Sequence, residues 1–282
     1  MARWRRNPRD RKANVPPQIL GIVNITEDSF SDGGRFLAPE QAIAQALALV
    51  GAGADIIDLG PASSHPDAKA VTADEEIRRL APVMDALAAR SIAVSVDSFL
   101  PETQRYAMAR GVAYLNDIQG FPDAEMYPAL AGASCGLIVM HAIQGRGIAI
   151  RVQSEPGTVT ERVACFFQRR IAALEQAGIR RERLILDPGM GYFLGNQPES
   201  SLSMLRGLGV LKERFGLPVL VSVSRKSFLR TLTGRGVEQA GAATLAAELF
   251  AAAQGVDYIR THDAGALRDA LKIWSALREQ KG

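Results

Sequence analysis

The chain has 282 residues, 47% of them hydrophobic and 22% charged, with a formal net charge of +3. This balance is that of a soluble globular protein with a sizeable core, and it excludes collagen-like and low-complexity chains. No apolar run approaches the roughly 20 residues of a membrane span, which excludes a membrane partner of that kind.

The charge is unevenly placed. Residues 1–17 hold Arg3, Arg5, Arg6, Arg9, Arg11 and Lys12 against Asp10, a local +5 that leaves −2 for the remainder. The sequence therefore reads as a disordered basic extension (1–17) ahead of one domain (18–282). The extension lacks the apolar stretch of a signal peptide, and the domain itself carries no excess of basic residues to bind nucleic acid. Cys135 and Cys165 sit in apolar runs without C-x-x-C spacing, which reads as core thiols in a reducing cytoplasm.

In chain order, strands are expected at 19–25, 55–60, 93–98, 113–118, 136–142, 183–189, 218–224 and 257–262. Amphipathic helical patterns follow at 39–52, 73–90, 158–177, 241–254 and 264–280, among others. Strictly alternating strands and helices imply a parallel sheet. Eight such units in about 260 residues fit a single-domain α/β fold, the closed (β/α)₈ barrel. The rival is an open doubly wound sheet, but no G-x-G-x-x-G and no G-x-x-x-x-G-K-[ST] opens a helix here.

A barrel places its active site at the C-terminal strand ends. Those ends read Asn24, Asp58, Asp97, Asn116–Asp117, His141, Asp187, Ser224–Arg225–Lys226, Arg260 and His262. Asp97, Asn116 and Asp187 would point into one pit, where a flat heterocycle rich in N–H donors, or Lys226, would satisfy them. Arg225, Lys226, Arg260 and His262 would gather cationic groups on the last strands, where such barrels commonly hold phosphate. Asn24 would offer one oxygen to Mg²⁺, an ion that binds through few protein groups. His141 reads as a hydrogen-bonded histidine of the barrel mouth, and the three histidines have no zinc spacing.

These stretches resemble a known family. "GIVNITEDSFSDGG" (21–34) is similar to the first loop of the dihydropteroate synthases. "VSVDS", "YLNDI", "DPGMG", "SVSRKSF" and "IRTHD" resemble its later motifs, in the same order, from about Ile19 to Leu277. The resemblance implies a (β/α)₈ transferase that joins p-aminobenzoate to 6-hydroxymethyl-7,8-dihydropterin pyrophosphate in folate biosynthesis, working with Mg²⁺ and as a homodimer. It implies that Asp97, Asn116, Asp187 and Lys226 hold the pterin, with Met140 in the same pocket. Asn24 would place the Mg²⁺–pyrophosphate, and Arg260 and His262 would bind the leaving diphosphate. Ser64, His65, Ser224, Phe30, Tyr192 and Phe193 would border the p-aminobenzoate pocket, built largely from loops 26–36 and 61–71, and Arg225 would bind substrate among the cationic groups.

The chain also departs from the family. "GPASSHPDA" (60–68) stands where G-G-E-S-T-R-P-G is usual, so an always-charged guanidinium gives way to the imidazole of His65. After "DPGMG" the usual F-G-K becomes "YFLG", adding Phe193 and Leu194 in place of a lysine. These changes resemble the sulfonamide-insensitive type borne on mobile elements, and they imply drug resistance. Two other functions remain open on the sequence: a non-catalytic pterin-binding protein and a pterin-barrel methyltransferase domain.

Overall fold

The computed structural model describes residues 15–26 and 39–278. Of the predicted features, the extension 1–17 lies outside the described residues up to position 14, as does the first loop from residue 27 to 38, Phe30 included. Strands and helices alternate: β1 (Gln18–Asn24), α1 (Pro39–Gly51), β2 (Ile56–Gly60), α2 (Ala73–Ala88), β3 (Val94–Asp97), α3 (Pro101–Ala109), β4 (Tyr114–Asp117), α4 (Tyr127–Gly132) and β5 (Gly136–Met140). They continue with α5 (Val159–Gln176), β6 (Leu184–Asp187), α6 (Pro198–Phe215), β7 (Leu220–Val221), α7 (Ser227–Thr233), α8 (Gly241–Ala253), β8 (Tyr258–Thr261) and α9 (Ala264–Arg278).

All strand pairs are parallel, in the order β6-β5-β4-β3-β2-β1-β8-β7. A bridge between Leu186 and Val219 brings β6 to the start of β7 and closes the ring. This is the (β/α)₈ barrel expected from the alternation of elements. The strands are shorter than the apolar runs suggested, most of all β7, expected over 218–224. Its polar end leaves the ladder: the Lys226 amide donates to the Val223 carbonyl in a turn, and Arg225 adopts a left-handed φ of 59°.

Side chains alternate across a strand with period two, and this parity organises the interior. Outward residues such as Ile57, Leu59, Val94, Val96, Leu184 and Leu186 join the helices in the main core. Inward residues Leu20, Ile56, Ile138, Ile185 and Leu220, with Ala93, Tyr114 and Tyr258 against them, plug the barrel floor. Two positions further along the same strands, the inward set is Ile22, Asp58, Ser95, Asn116, Met140, Asp187, Ser222 and Arg260. A dry floor thus carries a polar layer, and the site is that layer.

Candidate active site

The barrel mouth holds a cavity of about 600 Å³. A narrower recess continues it inward, walled by Asp97, Asn116, Met140, Asp187, Phe193 and Lys226. The three polar strand ends predicted to share a pit do share it. Asn116 is buried and its Oδ1 has no partner among the described residues. Asp187 is 2% exposed, and its Oδ1 accepts the Gly189 amide at 2.8 Å. Gly189 is needed there: its φ is +72°, and a Cβ would stand 2.4 Å from the His141 carbonyl oxygen. Burial pushes the Asp187 carboxyl up to about 6, despite the Gly189 N–H and the charges of Lys226 and Arg260. Burial, helped by Arg260, pushes the Lys226 ammonium down to about 8. Its Nζ lies 5.1 Å from the centre of the Phe193 ring.

Arg260 lines both the cavity and its recess, and two carboxylates hold it. Its Nε donates to Asp58 Oδ2 at 2.5 Å and its Nη2 to Asp97 Oδ2 at 2.8 Å. Burial opposes its charge, and the two carboxylates more than offset that cost. Asp97 in turn is raised by burial, with Arg260 pulling the other way. Asp58, fully buried, is the residue that sequence reasoning placed at a strand end without giving it a role. It holds Arg260, and the parity of β2 was the signal.

His262 lines the same cavity. Burial and the nearby charges of Arg225, Arg260 and Lys226 push its pKa down to about 3. Ser224 Oγ accepts the His262 backbone N–H at 3.2 Å and lies 2.9 Å from its Nδ1, so each fixes the other. Both face the cavity, as do Asn24 and Arg225. His141 is buried, within hydrogen-bond reach of the Pro188 carbonyl at 3.2 Å and held near 4 by burial, which fits a structural role.

Loop 61–71 is anchored from below. Arg79, buried on α2, donates to the Pro61 carbonyl at 2.8 Å and to Glu75 at 2.7 Å. Ser64 and His65 line the cavity. The His65 Nδ1 accepts the Asp67 amide at 3.3 Å, and its ring stands edge-on to Tyr192 at 5.9 Å. Asp67 receives both Nη atoms of Arg151, at 2.8 and 2.5 Å, and the guanidinium lies 5.6 Å from the centre of the Tyr192 ring. Arg151 had no sequence signal: it is one arginine in an irregular loop. Phe193 packs among Ile118, Met140, Ala142 and Ala149 and lines both cavity and recess. Leu194, expected to add bulk at the pocket, instead turns into the main core.

No three His, Cys, Asp or Glu residues among those described come together as a metal cage. Among the described residues the candidate donor is Asn24 Oδ1, which lines the cavity beside Gly60, where a Cβ would come within 3.2 Å of that oxygen. One neutral oxygen next to a polyphosphate suits Mg²⁺, which keeps waters and takes most ligands from phosphate.

The family model described as pterin binding enzyme matches residues 20–262. Dihydropteroate synthase type-2 of Escherichia coli is 62% identical over 261 residues, covering 93% of this chain and 96% of that protein. Among solved structures, a Xanthomonas albilineans dihydropteroate synthase with 4-aminobenzoic acid is 39% identical, with a TM-score of 0.86 and 94% of each chain covered. The same organism's enzyme in complex with 7,8-dihydropteroate is 37% identical, with a TM-score of 0.82, covering 94% of this chain and 95% of that one.

Proposed function

The chain belongs to the pterin binding enzyme family, and we infer that it joins p-aminobenzoate to 6-hydroxymethyl-7,8-dihydropterin pyrophosphate, giving 7,8-dihydropteroate and pyrophosphate. The observation that carries this reading is the recess, where Asn116 Oδ1 lacks a partner beside Asp97, Asp187 and Lys226. A pterin edge offers N–H donors to Asn116 and Asp187 and a ring acceptor to Lys226. Without such a ligand these buried groups are left incompletely paired.

In the proposed reaction the bond from the exocyclic methylene to the diphosphate oxygen breaks first, and its electron pair leaves with the diphosphate. The aryl amine nitrogen then forms the new C–N bond and sheds a proton. Arg225 lines the wall where the leaving charge grows, with the His262 imidazole beside it, and the positive charge of Arg225 lowers the barrier there. Bound Mg²⁺, held through Asn24, would supply further neutralisation of the diphosphate. Phe193 and Tyr192 restrict water at the cationic carbon, which water would otherwise consume. The test is p-aminobenzoate-dependent pyrophosphate release. Pterin binding without release would make this a pterin-binding protein that is not an enzyme.

The same reading extends to drug resistance. Phe193 fills space at the junction of recess and cavity, supporting exclusion of sulfonamides while the smaller substrate still fits. A homodimer is proposed through the Ala-rich α8, whose Phe250 is 42% exposed; light scattering in solution tests it. A cytoplasmic location is supported by two free thiols, Cys135 and Cys165. No described helix is long and apolar enough to cross a membrane.

A further inference from the structure

Four basic side chains, Arg225, Lys226, Arg230 and Arg260, line the cavity, and three have evident work. Arg260 is tied to Asp58 and Asp97. Lys226 lies in the recess over the Phe193 ring. Arg225 is close enough to His262 to depress its pKa, which puts it on the wall shared with Asn24. Arg230 is left. It makes no ion pair among the described residues, and its Nε is shielded from solvent without an acceptor. Glu238, an acid that also lines the cavity, is exposed and forms no ion pair with it.

The placement of Arg230 is set by α7. Lys226 is the residue that caps this helix, and Arg230 follows four positions later, about one turn along the same face at roughly 6 Å of rise. Opposite stands the aromatic segment. Gly191 abuts the first turn of α7 so closely that a Cβ would lie 3.3 Å from Ser227 Oγ and 3.6 Å from a Lys226 methylene. Tyr192 and Phe193 follow Gly191 in the chain and line the same cavity as Ser227 and Arg230 of α7. In the reaction proposed above, an aryl amine between these rings and α7 would turn its nitrogen toward the recess, where the electrophilic carbon would form. Its para substituent then points outward, about one helical turn away.

We propose that Arg230 recognises the carboxylate of the aryl amine substrate, and that it makes the site favour an ionised, planar carboxylate over an uncharged or tetrahedral para group. The inference rests on the reaction proposed above. A guanidinium edge matches a carboxylate through two parallel N–H···O bonds. A sulfonamide offers the same edge two sulfonyl oxygens that carry less charge than a carboxylate's, and its substituted nitrogen adds bulk beside them, so the paired bonds are weaker. Discrimination would thus have two sources: Phe193 by shape and Arg230 by charge.

The test compares wild type, Arg230→Gln and Arg230→Lys with p-aminobenzoate and with its neutral planar analogue 4-aminobenzamide. The Gln variant should raise KM for p-aminobenzoate about tenfold while kcat and the KM for 4-aminobenzamide stay within twofold. The Lys variant should fall between. An unchanged KM, an equal rise for both amines, or a rise confined to the pterin pyrophosphate would overturn the proposal. If the wild-type protein releases no pyrophosphate, the reaction itself is wrong. Calorimetry of p-aminobenzoate binding to wild type and Arg230→Gln then decides Arg230 separately.

Discussion

Replacing Asp187 by Asn should move affinity and stability in opposite directions. The carboxylate is 2% exposed and stands among Asp58, Lys226 and Arg260. Its pKa rises from 3.8 to about 6 on folding, so the ionised form costs the folded state up to about 3 kcal/mol, at 1.36 kcal/mol per unit. The sign follows from the direction of the rise. Stability is lost as pH climbs from the unfolded value through about 6 and is flat above it, with roughly half the loss accrued by pH 5. The amide carries no charge, so Asp187→Asn should raise the melting temperature of the free protein more at pH 8 than at pH 5. The gain falls short of the full figure because Lys226 loses a compensating charge. Pterin binding should meanwhile weaken by more than about 2 kcal/mol, because a charge-assisted bond inside a buried recess is replaced by a neutral one. Calorimetry with a pterin analogue and thermal melts at the two pH values measure both effects. Unchanged pterin affinity would remove Asp187 from the site, and a lower melting temperature at pH 8 would refute the reasoning from burial.

The pH dependence of kcat/KM for the pterin substrate should be bell-shaped, with limbs near 6 and 8, as Asp187 must be ionised and Lys226 charged; a flat profile across that range would exclude both roles. Phe193→Ala should lower the inhibition constant of sulfamethoxazole at least tenfold while KM for p-aminobenzoate changes little. A several-hundredfold selectivity corresponds to roughly 3.5 kcal/mol, within reach of a steric clash, and parallel shifts of drug and substrate would exclude the wall. Glu248 on α8 is 1% exposed, with Oε1 unpartnered among the described residues. Burial pushes its pKa up to about 8, helped by Asp263 and opposed by the Thr261 hydroxyl. Stability therefore falls as pH rises through 8, and Glu248→Gln should add more than about 1 kcal/mol at pH 9 and little at pH 5; equal melting shifts at both would show that Glu248 does not titrate.

How far the sequence reveals this site depends on whether strand or loop places each residue. Strand parity is rigid: once Ile56 and Ile185 belong to the floor, Asp58 and Asp187 must face inward two residues later. Asp97, Asn116, Asp187 and Arg260 were legible for that reason, and Asp58 and Ser222 were equally accessible to it. Parity cannot say how charges pair once they are inside. The sequence offered Arg260 and His262 as two cations for one anion. In the barrel, Asp58 and Asp97 pair with the first, while burial and neighbouring positive charges lower the pKa of the second. Loop residues carry no such periodicity. Arg151 reaches Asp67 across 84 positions, and Leu194 turns inward while its neighbour Phe193 faces the pocket. The departures "GPASSHPDA" and "YFLG" were visible as text, but their meeting at the Tyr192 ring was not. That meeting gives the two stretches a shared physical role. His65 and Arg151 both contact the Tyr192 ring and help to position that side of the cavity, and a positioned wall rejects a bulky para group where a loose one would yield. Loosening the wall should therefore erode drug exclusion before it erodes turnover, because the substituent on the drug's sulfonyl nitrogen presses on it harder than the smaller substrate does.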